Sequence, residues 1–126
     1  MSDRTFSFTG RLRSFRYAFR GIGLILRTQH NAWVHAFFSV AVCFLAILLN
    51  VSSGEWCWLI GAMMAVWTAE ALNTAFELLC DVASPEFHPT VEKSKDVAAG
   101  AVLISAIGSI AIGISIFGPK LWTLLF

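Results

Sequence analysis

Charge is absent from three stretches of this chain: between Arg27 and Glu55, between Glu55 and Glu70, and between Asp96 and Lys120. The first and last are each long enough for a membrane-spanning helix, which needs about 20 apolar residues. The middle one reaches that length only by drawing Glu70 and Glu77 into or near the membrane. The pattern predicts an all-α integral membrane protein: one domain over 1–126, with spans at 32–49, 56–81 and 97–117. Upstream, Leu12, Phe15, Phe19, Ile22 and Leu26 recur at steps of three and four, while Arg13, Arg16, Arg20 and Arg27 fall on the opposite side. That predicts a basic amphipathic helix over 11–29, lying in the interface of an anionic leaflet. Residues 1–10 lack periodicity and are expected to be irregular.

Between these elements lie polar breaks. Thr28, Gln29, His30 and Asn31 interrupt the chain before the first span, and residues 50–54 form a short turn. Residues 81–96 read as a loop, with Ser84-Pro85 and His88-Pro89 as breakers. The third span is expected to stop at Gly118-Pro119. Within it, Ala101, Ser105, Ser109 and Gly113 form a small-residue face that permits close helix contact. His35, one turn into the first span, reads as a hydrogen-bonding packing residue in preference to a ligand.

Composition agrees: 57% of the 126 residues are hydrophobic and 13% charged, whereas a soluble domain carries nearer 25% charged. The patterned segment before the first span, without a small-residue cleavage site after a short apolar core, argues against a signal peptide. Cys43, Cys57 and Cys80 lie within or beside the spans, lack CxxC spacing, and read as packing residues. The N-terminal segment holds six arginines and the second loop two lysines, while the first loop has no basic residue. The positive-inside rule therefore sets the N-terminus and second loop in the cytoplasm.

The chemistry-bearing stretch is Glu-Ala-Leu-Asn-Thr-Ala-Phe-Glu-Leu-Leu-Cys-Asp at 70–81. On a helix, Glu70, Asn73, Glu77 and Asp81 fall within roughly 80° of arc, one stripe on one face. Acids in a membrane-grade segment are costly unless protonated, paired, metal-bound or wet, so a stripe of them marks a functional site. The plainer alternative is a buried polar knob that fixes helix packing. Carboxylates beside Lys and Arg suit a divalent metal with phosphate, and magnesium is usually held by one or two carboxylates plus phosphate oxygens. A carboxylate withdrawn from water is suited to taking a proton from an alcohol. Phosphoryl transfer needs metal, cation, base and positioning. No P-loop or kinase glycine-rich loop occurs, and Gly21-Ile22-Gly23 is too short to serve as one.

That stretch, with Ser-Pro-Glu-Phe-His-Pro at 84–89 and Lys-Asp-Val-Ala-Ala-Gly-Ala-Val-Leu at 95–103, closely resembles the prokaryotic diacylglycerol kinases. These are small three-span lipid kinases that include the undecaprenol kinases. The resemblance implies a homotrimer of the bacterial inner membrane with active sites between protomers. It implies a cytoplasmic site that uses MgATP to phosphorylate the hydroxyl of a membrane lipid, undecaprenol or diacylglycerol. By position, Glu70 would be the general base. Glu77 would bind magnesium together with residue 29, and both would face the nucleotide. Tyr17, Glu86, His88, Lys95 and Asp96 would contact the nucleotide, while Asn73 and Asp81 would line the site. Arg13, Arg16 and Arg20 would help hold phosphates and head groups. In the family a glutamate commonly stands where this chain has Gln29. A neutral amide oxygen still ligates a hard cation but predicts weaker binding. The 84–89 loop and the Phe-Gly-Pro-Lys-Leu tail look more like the undecaprenol branch.

A non-enzymatic reading is the rival: a proton-coupled transporter or an assembly scaffold built around Glu70. A transporter needs access from both faces, whereas these polar groups gather at one. The Lys95-Asp96 pair also suits a nucleotide site and is not required by a carrier.

Overall fold

The computed structural model describes residues 7–126, so most of the irregular segment expected at 1–10 lies outside the described residues. Among the described residues are four helices: α1 Phe8–Thr28, α2 His30–Leu48, α3 Ser53–Ala83 and α4 Pro89–Leu125. The last three are long and apolar enough to cross a membrane, and the chain is a multi-pass membrane protein.

Helix α1 starts earlier than its periodicity suggests, because the Ser7 hydroxyl accepts a hydrogen bond from the Gly10 N–H at 3.3 Å and caps it. Its arginines at 13, 16, 20 and 27 are exposed. Its apolar positions are mostly exposed too, and only Ile25 is buried. The polar break before α2 narrows to one extended residue, Gln29, whose side chain makes no capping hydrogen bond.

The α2–α3 connection is closed tightly. Asn50 takes the left-handed conformation (φ 46°) that a helix end requires and that Asn tolerates. The Val51 and Asn50 N–H groups then donate back to the Ala46 and Ile47 carbonyls at 3.1 and 3.2 Å. Ser52 and Glu55 form a reciprocal capping box at the start of α3. Glu55 also meets Lys120 of α4 at 3.2 Å. Inside this end, Ala46, Val51, Leu59, Ile116 and Phe117 make the apolar core.

Two expectations about α4 change. Residues 89–96 are helical, so the second connection is residues 84–88 only. His88 caps this helix through its Nδ1, which accepts the Thr90 N–H at 3.2 Å, and Pro89 occupies the first turn, where a missing N–H costs nothing. At the other end, α4 runs through Pro119 to Leu125. Gly118 lacks the Cβ that would clash with the proline ring, which lets the helix continue. Contact along the small-residue face is visible at Ser109, whose hydroxyl donates to the Ala62 carbonyl of α3 at 3.1 Å. Of the cysteines, Cys80 is buried, Cys43 half-buried and Cys57 exposed, all free.

Candidate active site

The stripe predicted from periodicity exists as one graded face of α3. Glu70 and Asn73 are buried, Glu77 is half-buried and Asp81 is exposed. The stripe thus leads from an enclosed position at Glu70 to an exposed one at Asp81. α3 has 31 residues and is about 46 Å long, and α4, with 37, is about 55 Å. Both exceed the roughly 30 Å hydrocarbon core, so each has length to spare beyond a single crossing.

Glu70 is the largest fully buried side chain, at 1% exposure. Neither of its carboxylate oxygens makes a hydrogen bond. Among the described residues, its chargeable neighbour is His35 of α2, with Nε2 3.5 Å from Oε2. The imidazole also meets Trp67 edge to face, ring centres 6.2 Å apart, and the Trp67 indole N–H donates to the Ser39 hydroxyl at 3.1 Å. Two helices therefore fix the environment of one acid. The packing reading of His35 needs revision, because its Nε2 is buried without a hydrogen-bond partner and faces Glu70.

One turn on, the Asn73 amide N–H donates to Glu77 Oε1 at 3.3 Å, leaving the Asn73 carbonyl oxygen buried and unpaired. This is the arrangement of a side chain with an acceptor held ready. Among the described residues no three His, Cys, Asp or Glu side chains cluster closely enough to hold a metal alone. Hard oxygen donors in this number fit magnesium that arrives with phosphate oxygens, and do not form a closed cage. Gln29 stands at the α1–α2 junction, half-buried, with its side chain uncommitted to capping.

At the mouth, Lys95 Nζ donates to Asp81 Oδ1 at 2.6 Å, tying the end of α3 to the start of α4. The next residue, Asp96, is exposed, as are Glu86 and His88 in the turn. Tyr17 is exposed and lines a shallow groove on α1 with Arg20 and Arg27. Arg13 and Arg16 are exposed on the same helix. The structure thus gathers Glu70, Asn73, Glu77, Asp81 and Lys95 along one line. No hydrogen bond or ion pair given for the described residues links Tyr17 or the arginines at 13, 16 and 20 to that line. His35, read from the sequence as a packing residue, is the side chain that the structure sets against Glu70. Its signal was a polar side chain within an otherwise apolar span, but only the register of α2 on α3 reveals its partner.

Comparison with known proteins is consistent with this layout. The family model described as Prokaryotic diacylglycerol kinase matches residues 16–117, which contain every stripe residue and Lys95. The undecaprenol kinase of Bacillus subtilis is 38% identical over 109 residues, covering 86% of this chain and 89% of that relative. A diacylglycerol kinase of Synechocystis is 36% identical over 115 residues, covering 90% of this chain and 66% of that longer relative. The diacylglycerol kinase of Escherichia coli K12 is 30% identical over 119 residues, covering 85% and 88%. A membrane bundle with a buried acid on a polar stripe, matched over most of its length by that family, belongs to the prokaryotic diacylglycerol kinases and is a lipid kinase.

Proposed function

We propose that this lipid kinase transfers the γ-phosphate of MgATP to the hydroxyl of a membrane lipid alcohol, with Glu70 as the base. The observation that carries the reading is the buried Glu70 carboxylate, without a hydrogen bond, at the inner end of a polar stripe whose other end, Asp81, is exposed. An unpaired buried acid costs stability, and a fold retains such a group where it has chemical work.

In this reading the lipid hydroxyl approaches from the bilayer and hydrogen-bonds to Glu70. The carboxylate takes the hydroxyl proton as the oxygen attacks the γ-phosphorus, and the bond to the bridging oxygen of ADP breaks. Burial keeps competing water from the base. Glu77, with the Asn73 and Gln29 carbonyl oxygens, would hold magnesium beside the nucleotide phosphates. Magnesium, when bound, neutralises phosphate charge. Lys95 would meet the phosphates from α4, with Asp81 orienting it. Asp96, Glu86, His88 and Tyr17 would contact the rest of the nucleotide, and Arg13, Arg16 and Arg20 would meet phosphates and lipid head groups.

Because among the described residues no hydrogen bond or ion pair joins Tyr17, Arg13, Arg16 or Arg20 to the stripe, a site completed between protomers of a homotrimer would account for the roles assigned to them. The exposed apolar surfaces of α2, α3 and α4 supply area for such packing as well as for lipid. The distribution of basic residues supports a reading in which the N-terminus and site lie on the cytoplasmic side of the bacterial inner membrane, with α1 in the interface.

Undecaprenol is the preferred acceptor in this reading, supported by the 84–89 loop, the tail and the relative from Bacillus subtilis. Labelled ATP offered with undecaprenol or diacylglycerol in mixed micelles tests it. Faster transfer to undecaprenol supports the choice, faster transfer to diacylglycerol reverses it, and transfer to neither refutes the acceptor class.

A further inference from the structure

We propose that His35 is a positioning residue for Glu70, holding the buried carboxylate in place and carrying away the proton it collects at each turnover. The inference rests on Glu70 being the base and concerns what happens after that base has acted. Once it has taken the lipid proton, Glu70 is a neutral carboxylic acid at 1% exposure, with no hydrogen bond to either oxygen. It must lose that proton before the next substrate reacts, and direct contact with water is closed to it.

Among the described residues, His35 is the titratable side chain that faces it, 3.5 Å away from Nε2 to Oε2. The His35 side chain is 16% exposed against 1% for Glu70, so it is the less enclosed of the two. Imidazole accepts a proton at one ring nitrogen and releases one from the other, which makes it the side chain best suited to pass protons near neutral pH. The ring is also held. Trp67 meets it edge to face, and Trp67 is in turn fixed by Ser39, one turn along α2 from His35. The 3.5 Å gap lies just outside a good hydrogen bond, and catalytic hydrogen bonds commonly tighten when substrate fills the site.

The balance is simple. The lipid O–H proton moves to Glu70 as the new O–P bond forms and the bond between the γ-phosphorus and its bridging oxygen breaks, releasing ADP. The Glu70 O–H proton then passes to the His35 Nε2 lone pair, and His35 gives up a proton from Nδ1 toward water. Glu70 is then a carboxylate again and His35 a neutral imidazole in its Nε2–H tautomer, which a turn of the ring and exchange of protons with water at its two nitrogens reset before the next turnover.

A cavity of about 290 Å³ between α2, α3 and α4 is lined by His35, Ser39, Ala62, Val66 and Ser109 among others. Truncating His35 enlarges this space on the side of the missing ring, so added imidazole has room to enter. The test uses the full-length protein in mixed micelles with undecaprenol and, in parallel, dioleoylglycerol. His35→Gln, close in size but unable to carry a proton, is expected to lower kcat by about ten-fold or more. KM for ATP and for lipid should stay within about two-fold, since the proton leaves after binding. His35→Ala should lose at least as much kcat and regain part of it as imidazole is added.

Wild-type kcat in His35→Gln, a loss confined to KM, or a folded His35→Ala that imidazole does not rescue would each overturn the proposal. Circular dichroism and size-exclusion profiles identify misfolded variants, and His35→Gln, the gentler change, decides if His35→Ala fails. Glu70→Gln measured alongside separates the two claims. If it is inactive while His35→Gln runs at full speed, only the proton route fails. If Glu70→Gln is fully active, the base assignment fails and the His35 proposal with it.

Discussion

The two ends of the helical bundle are built on opposite rules. At the α2–α3 turn, backbone and side-chain polar groups are paired in a chain of short-range devices: the left-handed Asn50, the Ser52–Glu55 capping box and the Glu55–Lys120 contact. Beneath them sits a continuous apolar core around Leu59. Toward the α3–α4 turn the reverse holds. Glu70, His35, Asn73 and Thr74 carry buried polar atoms without partners. Burying such atoms unpaired costs about 1–3 kcal/mol each. The closed end makes the protein stable, and the polar end spends part of that stability on groups free to meet a substrate.

The largest break in this contrast comes from Glu70→Gln. Transfer should fall by about a hundred-fold or more, since an amide cannot act as a base. Thermal stability should hold or rise, because the replaced group is a buried acid that makes no hydrogen bond. Leu59→Ala does the opposite. In a membrane the loss is one of packing, worth about 2–4 kcal/mol on the scale of core truncations. It should appear as a lowered unfolding midpoint with kcat nearly unchanged at temperatures where the protein stays folded.

Smaller effects sharpen the picture. Ser52→Ala removes the cap of α3 and should cost about 1 kcal/mol, measured by the same unfolding assay, without touching transfer. Gln29→Glu restores a negative charge at the assigned metal position and should lower the magnesium needed for half-maximal rate several-fold. A magnesium titration that superimposes on wild type removes residue 29 from the metal site.

The parts legible in the sequence are those set by the period of a single helix. Glu70, Asn73, Glu77 and Asp81 share a face whatever packs against it. The charge-free runs similarly located the membrane helices without any tertiary knowledge. Features that depend on two elements were hidden. His35 lies 35 residues from Glu70 along the chain, and only the register of α2 on α3 joins them. The Asp81–Lys95 contact needs the short α3–α4 turn, which breaker residues had suggested was a longer loop. Pro119 misled for a local reason, since the glycine before it relieves the clash that ends most helices.

The most direct test of the account measures two quantities on the same preparations of wild type, Glu70→Gln and Leu59→Ala: the rate of labelled phosphate transfer from ATP to lipid, and the unfolding midpoint. A crossed result is predicted, with Glu70→Gln inactive but fully stable and Leu59→Ala active but less stable. Substantial transfer by a folded Glu70→Gln would contradict the central claim that this buried acid is the base.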